Sequence, residues 1–274
     1  MAEVLGRRGS RWRPYRAVVA SRVRSQTSYR GGFALDLLSS LLVGVVQLAE
    51  VLVLFHSVDS LGGLDLAAVV LVFGIADLSF SLADLVVGHL DTLPTYLRSG
   101  TLDVFYLRPQ PLLAQLVTSD ISLRRVTRIG VAVVALGVGV AVNDVAWTPL
   151  LVAFLALVVL TSALTFAAVF VAAAGVQFFL VDAAEATAAA VYGGRYAATQ
   201  PASVWAKPLV AVFGFAIPMA FTAYLPVVAL LDLPGPGWLP GWAGWLAPLA
   251  AVWTWAVALL AWRTGVRHYQ GGGG

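Results

Sequence analysis

Apolar residues fall along this chain in long unbroken runs, with neither the strict alternation of a half-buried strand nor the regular polar face of a surface helix. Scanned with a window of roughly 20 residues, the length a helix needs to cross bilayer hydrocarbon, the sequence yields six runs, at 33–55, 66–88, 123–142, 149–180, 208–231 and 243–262. Each predicts a transmembrane helix. The third is the least apolar, because only 129–142 is free of charge and its start lies among Arg124, Arg125 and Arg128, whose stems would snorkel to the interface. The fourth is long enough to tilt. Residues 233–240, rich in Gly and Pro, read as a rigid connection, and the closing glycines 271–274 as a flexible tail.

The basic residues orient these runs. Arg7, Arg8, Arg11, Arg13, Arg16, Arg22, Arg24 and Arg30 precede the first; Arg98, Arg108, Arg124, Arg125 and Arg128 lie between the second and third. Arg195 and Lys207 fall between the fourth and fifth, and Arg263 and Arg267 follow the sixth, which accounts for all 17 Lys and Arg. The opposite connections, 56–65, 143–148 and 232–242, carry none. By the positive-inside rule this predicts an all-α, polytopic protein of the cell membrane with six spans and both termini cytoplasmic. Trp147, Trp238, Trp242 and Trp245 then sit at the outer boundary and Trp205 and Trp262 at the inner one, where indole rings settle.

Composition agrees. With 60% hydrophobic and 11% charged residues, a soluble fold would have too little polar surface to face water. No polar stretch is long enough for a second domain, so the chain divides into a cytoplasmic basic segment (1–32), a six-helix transmembrane domain (33–262) holding a cytoplasmic loop (89–122), and a cytoplasmic tail (263–274). The absence of cysteine excludes disulfides, thiolate metal sites and cysteine nucleophiles. The net charge of +3 does not indicate nucleic acid, because almost half of the basic residues precede position 31. There they mix with Trp12, Tyr15, Val18, Val19, Val23 and Tyr29, as in a helix lying on the anionic lipid of the inner leaflet. This start is no signal peptide, since the first apolar run comes too late and is too long.

Ionisable groups within spans each cost at least about 2.5 kcal/mol at the bilayer centre, so each needs a partner or a wet cavity. Asp36, Glu50, Asp77 and Asp84 are the cases. Asp77, Asp84 and Asp91 recur at heptad spacing, a drift of only about 20° per step on a helix, with Ser81 and Gly88 close to the same line. Asp36 and Glu50 share a face of the first span. Together they predict a polar seam that either lines a substrate path or satisfies arginine, hydroxyl and backbone partners at an internal or subunit interface.

The loop after the second span carries the most information. A short helical turn ends near Gly100, Leu102, Phe105 and Leu107 give an apolar side, and Arg108-Pro109-Gln110-Pro111 forbids a continuous helix. The product is an apolar and basic knob that a soluble partner could grip. Residues 97–112, with their Arg-x-Gly-x-Leu-Asp core and Leu-Arg-Pro-x-Pro-Leu end, resemble the loop after the second span of type-two ATP-binding-cassette exporter permeases. Within them they look most like a six-span, multidrug-type branch. Tyr29-Arg30 with Phe33, Gly194-Arg195-Tyr196 with Pro201, Tyr224-Leu225-Pro226, and Trp262-Arg263 with Gly265 and Tyr269 resemble the same branch in order and spacing.

The resemblance implies a permease subunit of an ATP-driven exporter, paired with a second permease, identical or related, and with two copies of a cytoplasmic ATPase that binds ATP and Mg. Its coupling element would lie around residues 97–111, with Leu97, Arg98, Gly100, Leu102, Asp103, Phe105, Arg108 and Pro109 as coupling residues. Asp36, Glu50, Asp77, Ser81 and Asp84 would line the substrate path or a subunit interface, for an amphipathic or cationic small molecule or a lipid-like one. The chain has no ATP site of its own kind to offer: a P-loop needs Gly-Lys-Ser or Gly-Lys-Thr, and the single lysine, Lys207, stands between Ala206 and Pro208. No catalytic or metal-binding motif is present, His56, His89 and His268 being scattered. The rival reading is a proton-coupled secondary transporter using its membrane carboxylates, although no inverted repeat relates 33–142 to 149–262.

Overall fold

The computed structural model describes residues 30–119, 124–180 and 184–271; the basic segment read as 1–32 lies outside the described residues except for its last positions. All regular structure described is helical. Helix α1 (Arg30–Phe55) is followed by α2 (Leu66–Val87), which a 3-10 turn, Gly88–Thr92, extends into α3 (Leu93–Arg98). Two short helices, α4 (Asp103–Tyr106) and α5 (Leu112–Ser119), complete the intervening loop. Long helices α6 (Arg124–Val142) and α7 (Pro149–Gln177) follow, then α8 (Ala184–Ala198), a bent pair α9 (Lys207–Ala216) and α10 (Met219–Leu230), and finally α11 (Ala247–His268).

Four helical stretches are long and apolar enough to cross a membrane among the described residues: Leu66–Arg98, Arg125–Val142, Pro149–Gln177 and Gly241–His268. The α9–α10 pair would make a fifth if counted as one broken span, and α1 contains a shorter apolar stretch, Leu41–Val53. The fold is therefore all-α and polytopic.

Helix α2 is the hub. Apart from the line of Asp77, Ser81 and Asp84 it is predominantly apolar, as suits a helix enclosed by others, and 83% of its most apolar window is buried. Around it pack α1, α6, α7 and α8. In lipid, apolar side chains gain nothing by leaving one hydrocarbon for another, so association rests on close packing and on interhelical hydrogen bonds. The α7–α11 contact shows the first. A Cβ on Gly175 would stand 2.5 Å from the Ala261 carbonyl carbon, and one on Gly265 2.3 Å from the Gly175 oxygen, so only glycine lets these backbones meet.

Contacts between distant segments define the two ends of the bundle. At one, Asn143 donates to the Ala67 carbonyl at 2.8 Å, Trp245 stacks on Phe154 at 3.8 Å, and Ser203 donates to the Gly62 carbonyl at 2.7 Å. At the other, the loop containing α3–α5 meets the ends of α7 and α11 through Phe178, Tyr106 and Tyr269. The arginine-free connections collect at the first end and the loop bearing Arg98 and Arg108 at the second.

The fifth apolar run departs from expectation. Instead of one helix over 208–231, the chain makes α9 and α10, bent by 65°. Pro218 has no N–H to donate to a continuous ladder, Val210–Ala216 is wound as a π-helix, and Ile217 has φ −116° and ψ 89°. The thread between the two ends is α8. Thr187 accepts from Gln177 Nε2 at 2.9 Å near its start, while Ser203, just past its end, reaches Gly62. Arg195, expected in a cytoplasmic loop, consequently lies inside the bundle, and Lys207 follows only four residues after the Ser203 anchor at the arginine-free end.

Candidate functional site

The carboxylates of α2 all meet partners from neighbouring helices. Asp77, 1% exposed, forms an ion pair with Arg195 of α8 through Nη2, and Arg195 Nε also donates to Asp77 Oδ1 at 3.2 Å. The same guanidinium donates to Gln47 Oε1 of α1 at 2.8 Å and lies 5.0 Å from the centre of the Phe80 ring. One arginine thereby ties three helices together, its charge shared among a carboxylate, an amide and a ring face. Asp77 Oδ2 and Ser81 Oγ, both buried, have no hydrogen-bond partner.

One turn of the heptad further, Asp84 is held between two arginines of α6: Arg125 Nε at 3.0 Å and Arg128 Nη1 at 3.2 Å. Gly88 makes room for this, since a Cβ there would stand 2.0 Å from Asp84 Oδ1 and 2.8 Å from the Arg125 guanidinium. Asp91, at the end of the line, accepts from the Tyr192 hydroxyl at 2.5 Å. Three acids placed in a row by their spacing thus fasten α2 to α6 and α8.

Glu50 is different. It is exposed on α1, and its partner is the hydroxyl of Tyr196, 3.0 Å away. It borders a recess of about 150 Å³ lined also by Gln47, Phe73, Tyr192, Arg195 and Tyr196. A neighbouring hollow of about 340 Å³ shares Glu50, Val51, Tyr196 and Gln200 and is otherwise apolar, with Val53, Leu61 and Val69. Asp77, Ser81 and Asp84 line neither. Asp36 lies in α1, but its side chain is outside the described residues.

The loop at the opposite end is a built element. Gly100 adopts φ +67°, the left-handed turn that favours glycine, and reverses the chain after α3. Leu102, fully buried, then plugs α4 into the core, and Phe105 packs edge-on against Tyr96 at 5.4 Å. Gln115 of α5 pins the far side by donating to the carbonyls of Phe105 at 3.0 Å and Gln110 at 2.8 Å. Arg98, Asp103, Arg108 and Pro109 are exposed, as is Leu107, at 84%, while Leu97 and Phe105 are half-buried. The eight loop residues therefore divide into anchors beneath and a displayed rim.

The rim is also held from the side. Tyr269, the residue after α11, donates its hydroxyl to Asp103 Oδ1 at 2.9 Å and stacks on Tyr106 with ring centres 5.8 Å apart. Partial burial and the bond to the Asp103 carboxylate push the Tyr269 phenol up to about 12. Tyr106 is also raised, by burial and then by the charge of Asp103.

Reading the chain alone missed Gln47, Gln115, Tyr192 and Tyr196 as partners, and took Arg195 for a marker of topology. Tyr196 and Tyr269 stood inside segments singled out by resemblance, but nothing in their spacing indicated the carboxylates they meet.

Comparison with known proteins gives one family. Residues 41–273 match the family described as ABC-2 family transporter protein. No curated protein and no solved structure matches the chain.

Proposed function

The chain belongs to the ABC-2 transporter family, the membrane component of ATP-binding-cassette transporters, and from that premise we propose that it is the permease subunit of an exporter driven by a separate ATPase seated on the α3–α5 loop. As a family member with several long apolar helices it is a multi-pass protein of the cell membrane whose partner is such an ATPase. The proposal adds that two ATPase copies bind ATP and Mg, that a second permease, identical or related, completes the pathway, that six spans leave both termini cytoplasmic, and that transport runs outward.

The observation that carries the reading is the contrast between the two ends of α2. The cytoplasmic-type end displays a rim of Leu107, Arg98 and Arg108 on a base locked by Leu102 and Gln115. Such a base passes a push on the rim to α2 and α5 without deforming. Toward the arginine-free end of the bundle, Glu50 and the α1–α8 recess offer a carboxylate beside an apolar wall, which suits an amphipathic cation. Asp77 and Asp84, engaged by arginines, are assigned to holding the helices in register. Both are taken up by arginine partners and line neither recess, which counts against the secondary-transporter reading.

The test is to replace Arg98, Asp103 and Arg108 singly by alanine in the reconstituted transporter. Membrane insertion is expected to be kept while transport-coupled ATP hydrolysis falls; unchanged coupling in all three variants removes this loop from the mechanism.

A further inference from the structure

The residues after the last long helix have no assigned task, yet they end on the displayed loop. Tyr269 reaches α4 by two independent contacts: the hydrogen bond to Asp103 and the near-parallel stack on Tyr106, whose planes differ by 8°. A third contact, edge-on to Phe178 at 6.0 Å, seats the same ring against the end of α7. Phe178 packs in turn on Trp262 of α11 at 5.6 Å, and Phe179 stacks on His268 at 4.7 Å. Below these rings, Gly175 and Gly265 bring the α7 and α11 backbones into direct contact. One aromatic side chain thus joins the loop to the most extensively packed helix pair in the bundle.

We propose that Tyr269 is a latch that fixes α4 to the α7–α11 pair, so that force delivered to the loop reaches α11 as well as α2. The inference rests on the coupling role proposed for the loop. Besides Tyr269, α4 is held from within its own loop, by Leu102, Gln115 and Tyr96. A push on Leu107 or Arg108 then moves α2 and α5 and reaches α7 by its packing on α2, the Gly88–Thr92 turn and α3, and α11 by its packing on α7. With the latch closed, both sides of the bundle move together. A phenol suits the task, because it donates one directed bond to a carboxylate and offers a flat ring to stack. Tyr269 is on this account a positioning residue, acting through α4.

The chain has no cysteine, so paired thiol labels can be introduced without background. Spin labels at Val104→Cys and Gln270→Cys, on the full chain in lipid nanodiscs, are expected to give one narrow distance distribution. Tyr269→Phe, which keeps the ring and removes the donor, should broaden it; Asp103→Ala should do the same, and the double variant should be no broader than either alone. In the complex with the ATPase that co-purifies, Tyr269→Phe should lower substrate moved per ATP hydrolysed by about three- to tenfold, the scale of one charge-assisted hydrogen bond at a partly exposed site. A distribution that stays narrow in both single variants, or an unchanged transport-to-hydrolysis ratio, overturns the latch. Leu107→Asp separates this from failure of the underlying reading. If Leu107→Asp abolishes ATPase association while Tyr269→Phe changes nothing, only the latch falls; if Leu107→Asp leaves association intact, the docking role of the loop falls, and the latch with it.

Discussion

Replacing Asp77 by asparagine removes the charge that Arg195 was buried to meet. The carboxylate is 1% exposed and the arginine side chain 12%, so water screens the pair little. At a separation of 3.2 Å, the interaction is about 5 kcal/mol with an effective dielectric of about 20, before the cost of desolvating both ions. After Asp77→Asn the guanidinium keeps Gln47 and the Phe80 ring, together worth roughly 2–3 kcal/mol. The expected net loss is about 3–5 kcal/mol, the usual cost of orphaning one member of a buried pair. Arg195→Gln should cost a similar amount by leaving Asp77 alone. The double variant, Asp77→Asn with Arg195→Gln, holds two neutral amides at hydrogen-bonding distance and should recover most of the loss. Thermal unfolding of all four proteins in the same nanodiscs closes the cycle. If the double variant is as unstable as the two single losses added together, the residues do not act as a pair, and the assignment of Asp77 to helix register is wrong.

Three further outcomes are expected. Asp84 has two arginine partners, so Arg125→Gln or Arg128→Gln alone should destabilise by about 1–2 kcal/mol and Asp84→Asn by about 3 kcal/mol or more, while Gly88→Ala, whose new methyl would collide with Asp84, should resemble the latter in the same unfolding assay. Glu50→Gln should reduce transport of a cationic amphiphile about tenfold, the effect of one lost charge pairing of about 1.4 kcal/mol, and leave a neutral analogue of the same shape nearly unchanged; equal losses would place Glu50 outside the substrate path. The Tyr269 phenol is raised from its ordinary 10 to about 12 in the folded chain, so its contribution is complete below pH 10 and is lost as pH rises from 10 to about 12. Absorbance titration of the parent against Tyr269→Phe should show one tyrosine fewer titrating at the top of that range.

The long helices were legible because their signal is additive. Every residue of α2 and α7 adds to a window sum, and no single position decides the outcome. The heptad line of Asp77, Asp84 and Asp91 was legible for a related reason, since helical geometry fixes which residues of one helix share a face. Partners across helices carry no such regularity. Nothing in the spacing of Arg125, Arg128 and Arg195 says which acid each will meet, because that depends on how three helices pack. Helix α8 escaped notice for a physical reason. Its arginine, two tyrosines and paired glycines lower the apolarity of 184–198, and the window moved on to the more apolar 208–231. A window sum is blind to the prolines in that run, and Pro218 marks the break. An arginine neutralised by a buried acid no longer behaves as a topology marker, so Arg195 misled the charge count. The loop was legible in outline from Gly100 and its two prolines, whereas its anchoring by Gln115 and Tyr269 depends on contacts between segments far apart in the chain.

The measurement that bears most directly on the account is cross-linking from the displayed rim. A photoreactive residue at Leu107, in the natively expressed full-length chain, should capture an ATP-binding-cassette ATPase, and the same probe at Gly62, at the other end of the bundle, should capture none. Capture of the ATPase from Gly62, or purification of an active transporter with no ATPase joined to Leu107, would contradict the claim that this loop is where ATP-driven motion enters the permease.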